Sequence, residues 1–160
     1  MKDVFVRIRS AAEADIPRIG ALLSQVLEVH AAGRPDLFRS GTRKYGDDEI
    51  GAILADPRTP VLVAEADGEV IGHAFCVLED FADSPNRTPI RSLYLDDLCV
   101  DERFRGRGVG RRLCEEVFAL ARSLGCYNVT LNVWACDEGA LSFYRAMGLK
   151  VFKYGMETVL

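Results

Sequence analysis

Long apolar runs are missing from this chain of 160 residues. The longest are five residues, Ala74–Leu78 and Val117–Ala121, whereas a membrane-spanning helix needs about 20. No membrane partner is expected. The N-terminal stretch also lacks a signal-peptide apolar region, because Arg7 and Arg9 interrupt it; a cytoplasmic location is expected. Histidine is scarce, with only His30 and His73. The five cysteines, Cys76, Cys99, Cys114, Cys126 and Cys136, are widely spaced and form no CxxC. That spacing argues against a zinc site or a disulfide framework, so no metal is expected. Small buried thiols in a reducing compartment account for the cysteines. Repeats and low-complexity blocks are absent.

Apolar residues make up 49% and charged residues 28%, which excludes a disordered chain. The length fits one domain, 1–160, with a core that needs no staples. The net charge of −4 argues against a general nucleic-acid binder. That average hides an uneven distribution. Residues 103–112 carry +5, leaving −9 on the rest of the chain.

Periodicity gives the element order β-α-α-β-β-β-α-β-α-β. Val4–Arg9 alternates like a half-buried strand. Asp15 is placed to cap a helix whose apolar face runs Ile16, Ile19, Leu23, Val26 and His30, ending at Gly33 and Pro35. A short helix is expected over Asp47–Leu54. Val61–Ala66 and Val70–Leu78 read as strands joined by an Asp67-Gly68 hairpin turn. Ser92–Val100 is a fourth strand, Val109–Leu124 a helix capped at Gly125, and Val129–Trp134 a fifth strand. Asp137–Met147 is a helix stopped by Gly148, and Leu149–Leu160 supplies the last strand. This order predicts an α+β architecture rather than a doubly wound one.

The most informative stretch is Arg103-Phe104-Arg105-Gly106-Arg107-Gly108-Val109-Gly110-Arg111-Arg112. Alternate glycines permit a tight turn and close approach to main-chain N–H groups. Those N–H groups open a helix, where they are unpaired donors at the positive end of the dipole. Five arginines and no acid within the stretch make it a site for a phosphate or pyrophosphate. A P-loop would need Lys-Ser/Thr where Arg111-Arg112 stands, and the glycines fall at relative positions one, three and five, not the one, three and six of a dinucleotide fingerprint.

Arg105-Gly106-Arg107-Gly108-Val109-Gly110 resembles the R/Q-x-x-G-x-G/A signature of the GNAT N-acetyltransferase superfamily. Ala140–Leu149 resembles that family's A-x-x-F-Y-x-x-x-G-F/L element, and Leu98-Cys99-Val100 resembles the end of its fourth strand. The resemblance covers nearly the whole chain. It implies a GNAT-like fold with a mixed, mostly antiparallel sheet, splayed fourth and fifth strands and flanking helices. It also implies acetyl-CoA as cosubstrate, held by Leu98, Cys99, Val100, Arg105, Gly106, Arg107, Gly108, Val109, Gly110, Arg111, Asp137 and Ala140. Asp137 departs from the family, which usually has Asn there. Asp keeps the capping ability and adds a negative charge beside an anionic ligand.

Asp96 and Asp97 interrupt an otherwise apolar strand. At least one carboxylate must face covered space, which is costly unless it is paired or functional. Each could simply cap a loop or pair with a basic residue. An acceptor amine, protonated at neutral pH, must shed a proton before it attacks a thioester, and a carboxylate can take that proton. Family members carry a fourth-strand carboxylate at the position of Asp96, and parity puts Asp96 with Leu98 and Val100. Asp96 is therefore ranked as base ahead of Asp97. Tyr144 matches the family's general acid toward the departing thiolate; alternatively it is a core aromatic. His30, Arg34, Asp36, Asp97 and Asn132 are the candidate acceptor-binding residues, with Tyr94, Phe81 and Trp134 as aromatic walls. His30 could equally be a semi-buried helix residue, and Arg34 and Asp36 could brace a turn.

The expected function is acetyl transfer from acetyl-CoA directly to an amine, most simply a small cationic one. A peptide or protein amino group, a noncatalytic acyl-CoA sensor and nucleic-acid binding through the arginines are the alternatives. By family analogy, exposed sheet edges or C-terminal strand exchange would allow a homodimer.

Overall fold

The computed structural model describes residues 5–160. Its elements are β1 (Val6–Ser10), α1 (Ile16–Gly33), α2 (Asp47–Ala55), β2 (Val61–Ala66), β3 (Glu69–Asp80), β4 (Arg91–Val100), α3 (Val109–Ser123), β5 (Asn128–Thr130) and α4 (Glu138–Ala146). The five strands form one sheet in the order β1-β2-β3-β4-β5. The first three pairings are antiparallel and β4–β5 is parallel. Val4, placed in the first strand by the sequence, lies outside the described residues.

The β2–β3 hairpin turns on Asp67 and Gly68, both with positive φ (50° and 79°), the conformation that matches the right-handed twist of two-residue hairpins. On one face of the sheet, Ile19, Leu22 and Leu23 of α1 and Ile50 of α2 pack on Val61, Val63 and Phe75. On the other face, Val109, Leu113 and Val117 of α3 pack on Ala64, Ile71, Leu93 and Leu95. Each helix buries one stripe against the sheet, and together the two layers hold the sheet in the middle.

Three expectations change. Asp15 stands before α1 but makes no side-chain cap for it. Its carboxylate turns back to accept from the Ala12 backbone N–H at 2.8 Å and from both Nη atoms of Arg9 at 2.7 and 2.9 Å. Two guanidinium bonds outweigh one cap. The fifth strand is only Asn128–Thr130, because the chain leaves β4 after the Tyr94–Thr130 pair. The C-terminal segment 149–160 forms no strand. Its side chains alternate like a strand, but Phe152, Tyr154, Met156 and Leu160 are exposed and pair with no neighbour in the sheet.

The short β5 leaves Leu95–Val100 of β4 with β3 on one side and no strand on the other. This is the expected splay. A second irregularity sits beside it. Phe75 pairs with Asp97 but Cys76 pairs with Leu95, so Asp96 is the extra residue of a β-bulge.

Candidate active site

The bulge overturns the parity argument for the two aspartates. Before it, Leu93 and Leu95 face the α3 core; after it, Leu98 and Val100 do. Asp96 does not share their surroundings. It finds Tyr45, which packs on the α1–α2 core and donates its hydroxyl to Asp96 Oδ2 at 2.7 Å. Lys44 Nζ lies 2.8 Å from Asp96 Oδ1. Asp97 turns to His73, whose Nε2 is 2.5 Å from Asp97 Oδ2. His73 is wholly buried and stacks edge-on against Phe75 at 5.0 Å. Its Nδ1 has no partner among the described residues. A neutral ring that donates from Nε2 leaves only a lone pair unsatisfied, which costs less than a stranded N–H. Both aspartates are therefore paired, Asp97 the more deeply.

Tyr144, on α4, packs against the α3-side core. Burial raises its phenol well above the ordinary tyrosine value, and the nearby Cys114, Asp97 and Asp137 push the same way. The hydroxyl is thus a proton carrier at neutral pH. Tyr45 is also raised by burial and by its bond to Asp96.

The glycine-arginine turn follows β4. Gly106 and Gly108 have φ of 74° and 78°, and α3 begins at Val109, which is buried. Only glycine holds these left-handed conformations without cost, and they aim the first N–H groups of α3 into the open. Gly110 sits beside the Phe143 ring and Val100. Arg105 Nε donates to the Val100 carbonyl at 3.0 Å, tying the turn to the end of β4. Arg111 has Glu115 at 3.5 Å, while Arg107 and Arg112 have no acidic partner among the described residues. Arg103 is a structural residue rather than a free cation. It binds Glu69 at 2.6 Å and the buried Asp101 at 2.9 Å. Asp101 also pairs with Arg18 and accepts from the Arg103 backbone N–H at 2.9 Å. These donors hold its carboxyl far below the usual range.

Leu98 and Val100 line the α3 side, while Cys99 is buried on the other, its thiol directed at the Leu22 carbonyl and pushed up to about 12 by burial. It is a packing residue, and its backbone pairs with His73 of β3. Asp137 caps α4 by accepting from Ala140 N–H at 2.9 Å, so the substitution of Asp for Asn keeps the cap.

The acceptor candidates divide. His30 stacks on Phe38, and Phe38 meets Trp134 edge-on, both at 5.2 Å, which joins the end of α1 to the segment after β5. Arg34 and Asp36 are engaged with one another at 2.9 and 2.7 Å, and Arg34 also reaches Glu157 at 2.5 Å. They brace the chain. Asn132 donates to the Tyr94 hydroxyl at 3.1 Å and shares a groove with Phe81, Arg87 and Phe152. His73, Tyr45 and Lys44 are the residues that sequence reasoning missed. The only signal for His73 is a polar side chain inside an apolar strand. Among the described residues no cluster of His, Cys, Asp or Glu could hold a metal ion, and no helix is long and apolar enough to cross a membrane.

Comparison with known proteins bears on the family and the fold. Residues 25–149 match the acetyltransferase (GNAT) family. The chain is 29% identical over 147 residues to a thialysine N-epsilon-acetyltransferase from Bos taurus, covering 90% of this chain and 84% of that protein. It is 27% identical to a probable glucosamine 6-phosphate N-acetyltransferase from Drosophila melanogaster, covering 90% of this chain and 60% of that one. A mutant of the BH1408 protein from Bacillus halodurans superposes with a TM-score of 0.91 at 28% identity, over 96% of this chain and 99% of that chain. The glycine-arginine turn at the start of α3, the splayed β4 and the partly buried Tyr144 thus stand in a chain that belongs to the acetyltransferase (GNAT) family, an acyltransferase with an α+β fold.

Proposed function

We propose that the protein transfers an acetyl group from acetyl-CoA directly to the amino group of a small cationic acceptor. The observation that carries this reading is the position of Asp96. The bulge puts its carboxylate just beyond the last β4–β5 pair, where it already holds a cation. An acceptor ammonium is the chemistry that such a carboxylate selects.

The turn fits the pyrophosphate of acetyl-CoA on its own evidence: left-handed glycines, unpaired N–H groups at the start of α3, and Arg107 and Arg112 free of acids among the described residues. When bound, acetyl-CoA supplies an activated acyl thioester. The chain's residues do the rest. Asp96 receives the ammonium and takes its proton. Main-chain N–H groups along the open edge of Leu95–Val100 stabilise the negative charge that gathers on the acetyl oxygen. Tyr144 holds a proton for the departing sulfur. A phenol raised by burial stays protonated, so its O–H is available to hydrogen-bond the sulfur as negative charge builds there. Asp97, clamped by His73, orders the strand beside Asp96.

A thialysine acetyltransferase among the relatives supports a small amine, and thialysine carries the primary ammonium that Asp96 would bind. The test is thiol release from acetyl-CoA across thialysine, spermidine, aminoglycosides and peptides. Rapid release with one cationic small amine supports the reading. Release only with peptides, or acetyl-CoA binding without any acceptor-dependent release, overturns it.

The same reading places the protein in the cytoplasm, where thiols such as Cys136, exposed and unpaired, stay reduced. It also includes a homodimer. The exposed apolar residues Phe152, Tyr154, Met156 and Leu160 and the outer edge of β5 are the surfaces that such a dimer would join. Deleting residues 151–160 then converts a dimer to a monomer in light scattering; an intact chain that is monomeric contradicts this.

A further inference from the structure

Every amine that uses this site must bring an ammonium to Asp96, and the chain already places one of its own there. Lys44, in the connection between α1 and α2, puts Nζ 2.8 Å from Asp96 Oδ1 and 3.4 Å from the Asp96 carbonyl. Its neighbour Tyr45 occupies the other carboxylate oxygen, Oδ2, at 2.7 Å. The carboxylate is mostly covered, with 16% of its side chain exposed, whereas 41% of the Lys44 side chain is exposed. The lysine therefore enters from the solvent side, as a free acceptor would. The other local cation, Arg43, is occupied by Asp47 at 2.6 Å. Lysine is also rare here. The chain has four lysines, Lys2, Lys44, Lys150 and Lys153, against sixteen arginines. Of the described lysines, Lys44 alone touches a carboxylate; Lys150 and Lys153 lie on the exposed C-terminal segment.

We propose that Lys44 is a self-acetylation site, a tethered amine that the protein's own chemistry modifies when no free acceptor competes. The inference rests on the reading of Asp96 as the acceptor's carboxylate and of acetyl-CoA as donor. The Lys44 ammonium gives a proton to Asp96, and the freed Nζ lone pair attacks the thioester carbonyl carbon. An N–C bond forms and the C–S bond breaks. The sulfur leaves with the bonding pair and takes a proton from Tyr144, which regains one from solvent, while nitrogen and Asp96 return their protons to solvent. The balance is one lysine ammonium and one acetyl-CoA giving one acetyl-lysine, one coenzyme A thiol and one proton. Tethering makes the step intramolecular, which favours Lys44 over any lysine that must diffuse to the site.

Two measurements on the full chain test this. In the first, acetyl-CoA is added without acceptor and lysine acetylation is mapped by mass spectrometry over time. Lys44 is expected to label about a hundredfold faster than Lys150 or Lys153, at a rate independent of protein concentration, and to lose this advantage in urea. In the second, no acetyl-CoA is present. The lysines are reductively methylated with labelled formaldehyde and observed by NMR; Asp96→Asn is expected to shift the Lys44 signal and leave those of Lys150 and Lys153 in place. Lys44 labelling no faster than the other lysines, or proportional to protein concentration, overturns the inference, as does a Lys44 signal indifferent to Asp96→Asn. A chain that acetylates free amines in an Asp96-dependent way yet spares Lys44 overturns the inference alone. Labelling of Lys44 that survives Asp96→Asn overturns the role of Asp96 in both readings.

Discussion

His73 Nε2 and Asp97 Oδ2 lie 2.5 Å apart across the β3–β4 ladder, beside the bulge formed by Asp96. The ring is wholly buried and 8% of the Asp97 side chain is exposed, so the pair is sealed from water. Asp97 has lost most of its hydration and depends on this donor. His73→Leu should therefore cost roughly 3 kcal/mol of stability, the order expected when a buried carboxylate loses its partner. Urea unfolding monitored by circular dichroism measures it. A change below about 1 kcal/mol would mean that water replaces the ring.

Asp101 makes the stability pH-dependent. Arg103 and Arg18 hold its carboxyl well below the ordinary aspartate value. A depressed folded value means that the unfolded chain binds the proton more readily. The stabilisation is complete above the unfolded value, about 4, and is lost as pH falls toward the folded one. Asp101→Asn should lower the melting temperature at pH 7, and the gap to wild type should close as the pH drops below about 4. A gap that stays constant with pH would show that the variant acts through packing alone.

Gly108 can be tested without steric confusion, because nothing lies within 4 Å of an added Cβ. Its φ of 78° is what a side chain opposes, at about 1–2 kcal/mol. Alanine lets the free turn relax out of this conformation, so binding must restore it, and Gly108→Ala should weaken coenzyme A binding by about tenfold, read by calorimetry. Undiminished affinity would remove the turn from the binding site.

Tyr144→Phe removes one hydroxyl from a ring that remains packed. Loss of a positioned proton donor should lower kcat about a hundredfold and leave coenzyme A affinity nearly unchanged. Because burial raises the phenol, its ionisation should not limit the rate below about pH 10. An unaltered kcat would make Tyr144 a packing residue.

The helices, the hairpin and the glycine-arginine turn were readable because local rules set them. Gly106 and Gly108 take the left-handed backbone that their spacing suggested, and Asp67-Gly68 turns as two-residue hairpins do. The aspartates were misplaced because parity fails at a bulge, and the bulge opposite Cys76 depends on a pairing register that one strand does not carry. His73 lies 24 residues from Asp97 and met it only through that register. Arg103 counted toward the cationic stretch in the sequence, but Glu69, on the neighbouring hairpin, pairs with it. The segment 149–160 has the alternation of a strand but pairs with none among the described residues. Local chemistry was legible, whereas contacts that depend on long-range pairing were not.

The central claim is that Asp96 and Tyr144 serve one acetyl transfer from opposite ends. Steady-state thiol release with acetyl-CoA and thialysine or spermidine, in wild type, Asp96→Asn and Tyr144→Phe, tests it most directly. The account predicts acceptor-dependent release by wild type. It predicts a raised acceptor KM and a lower kcat in Asp96→Asn, a lower kcat alone in Tyr144→Phe, and unchanged coenzyme A affinity in both. Release that needs neither residue, or tight coenzyme A binding with no transfer to any amine, would contradict it.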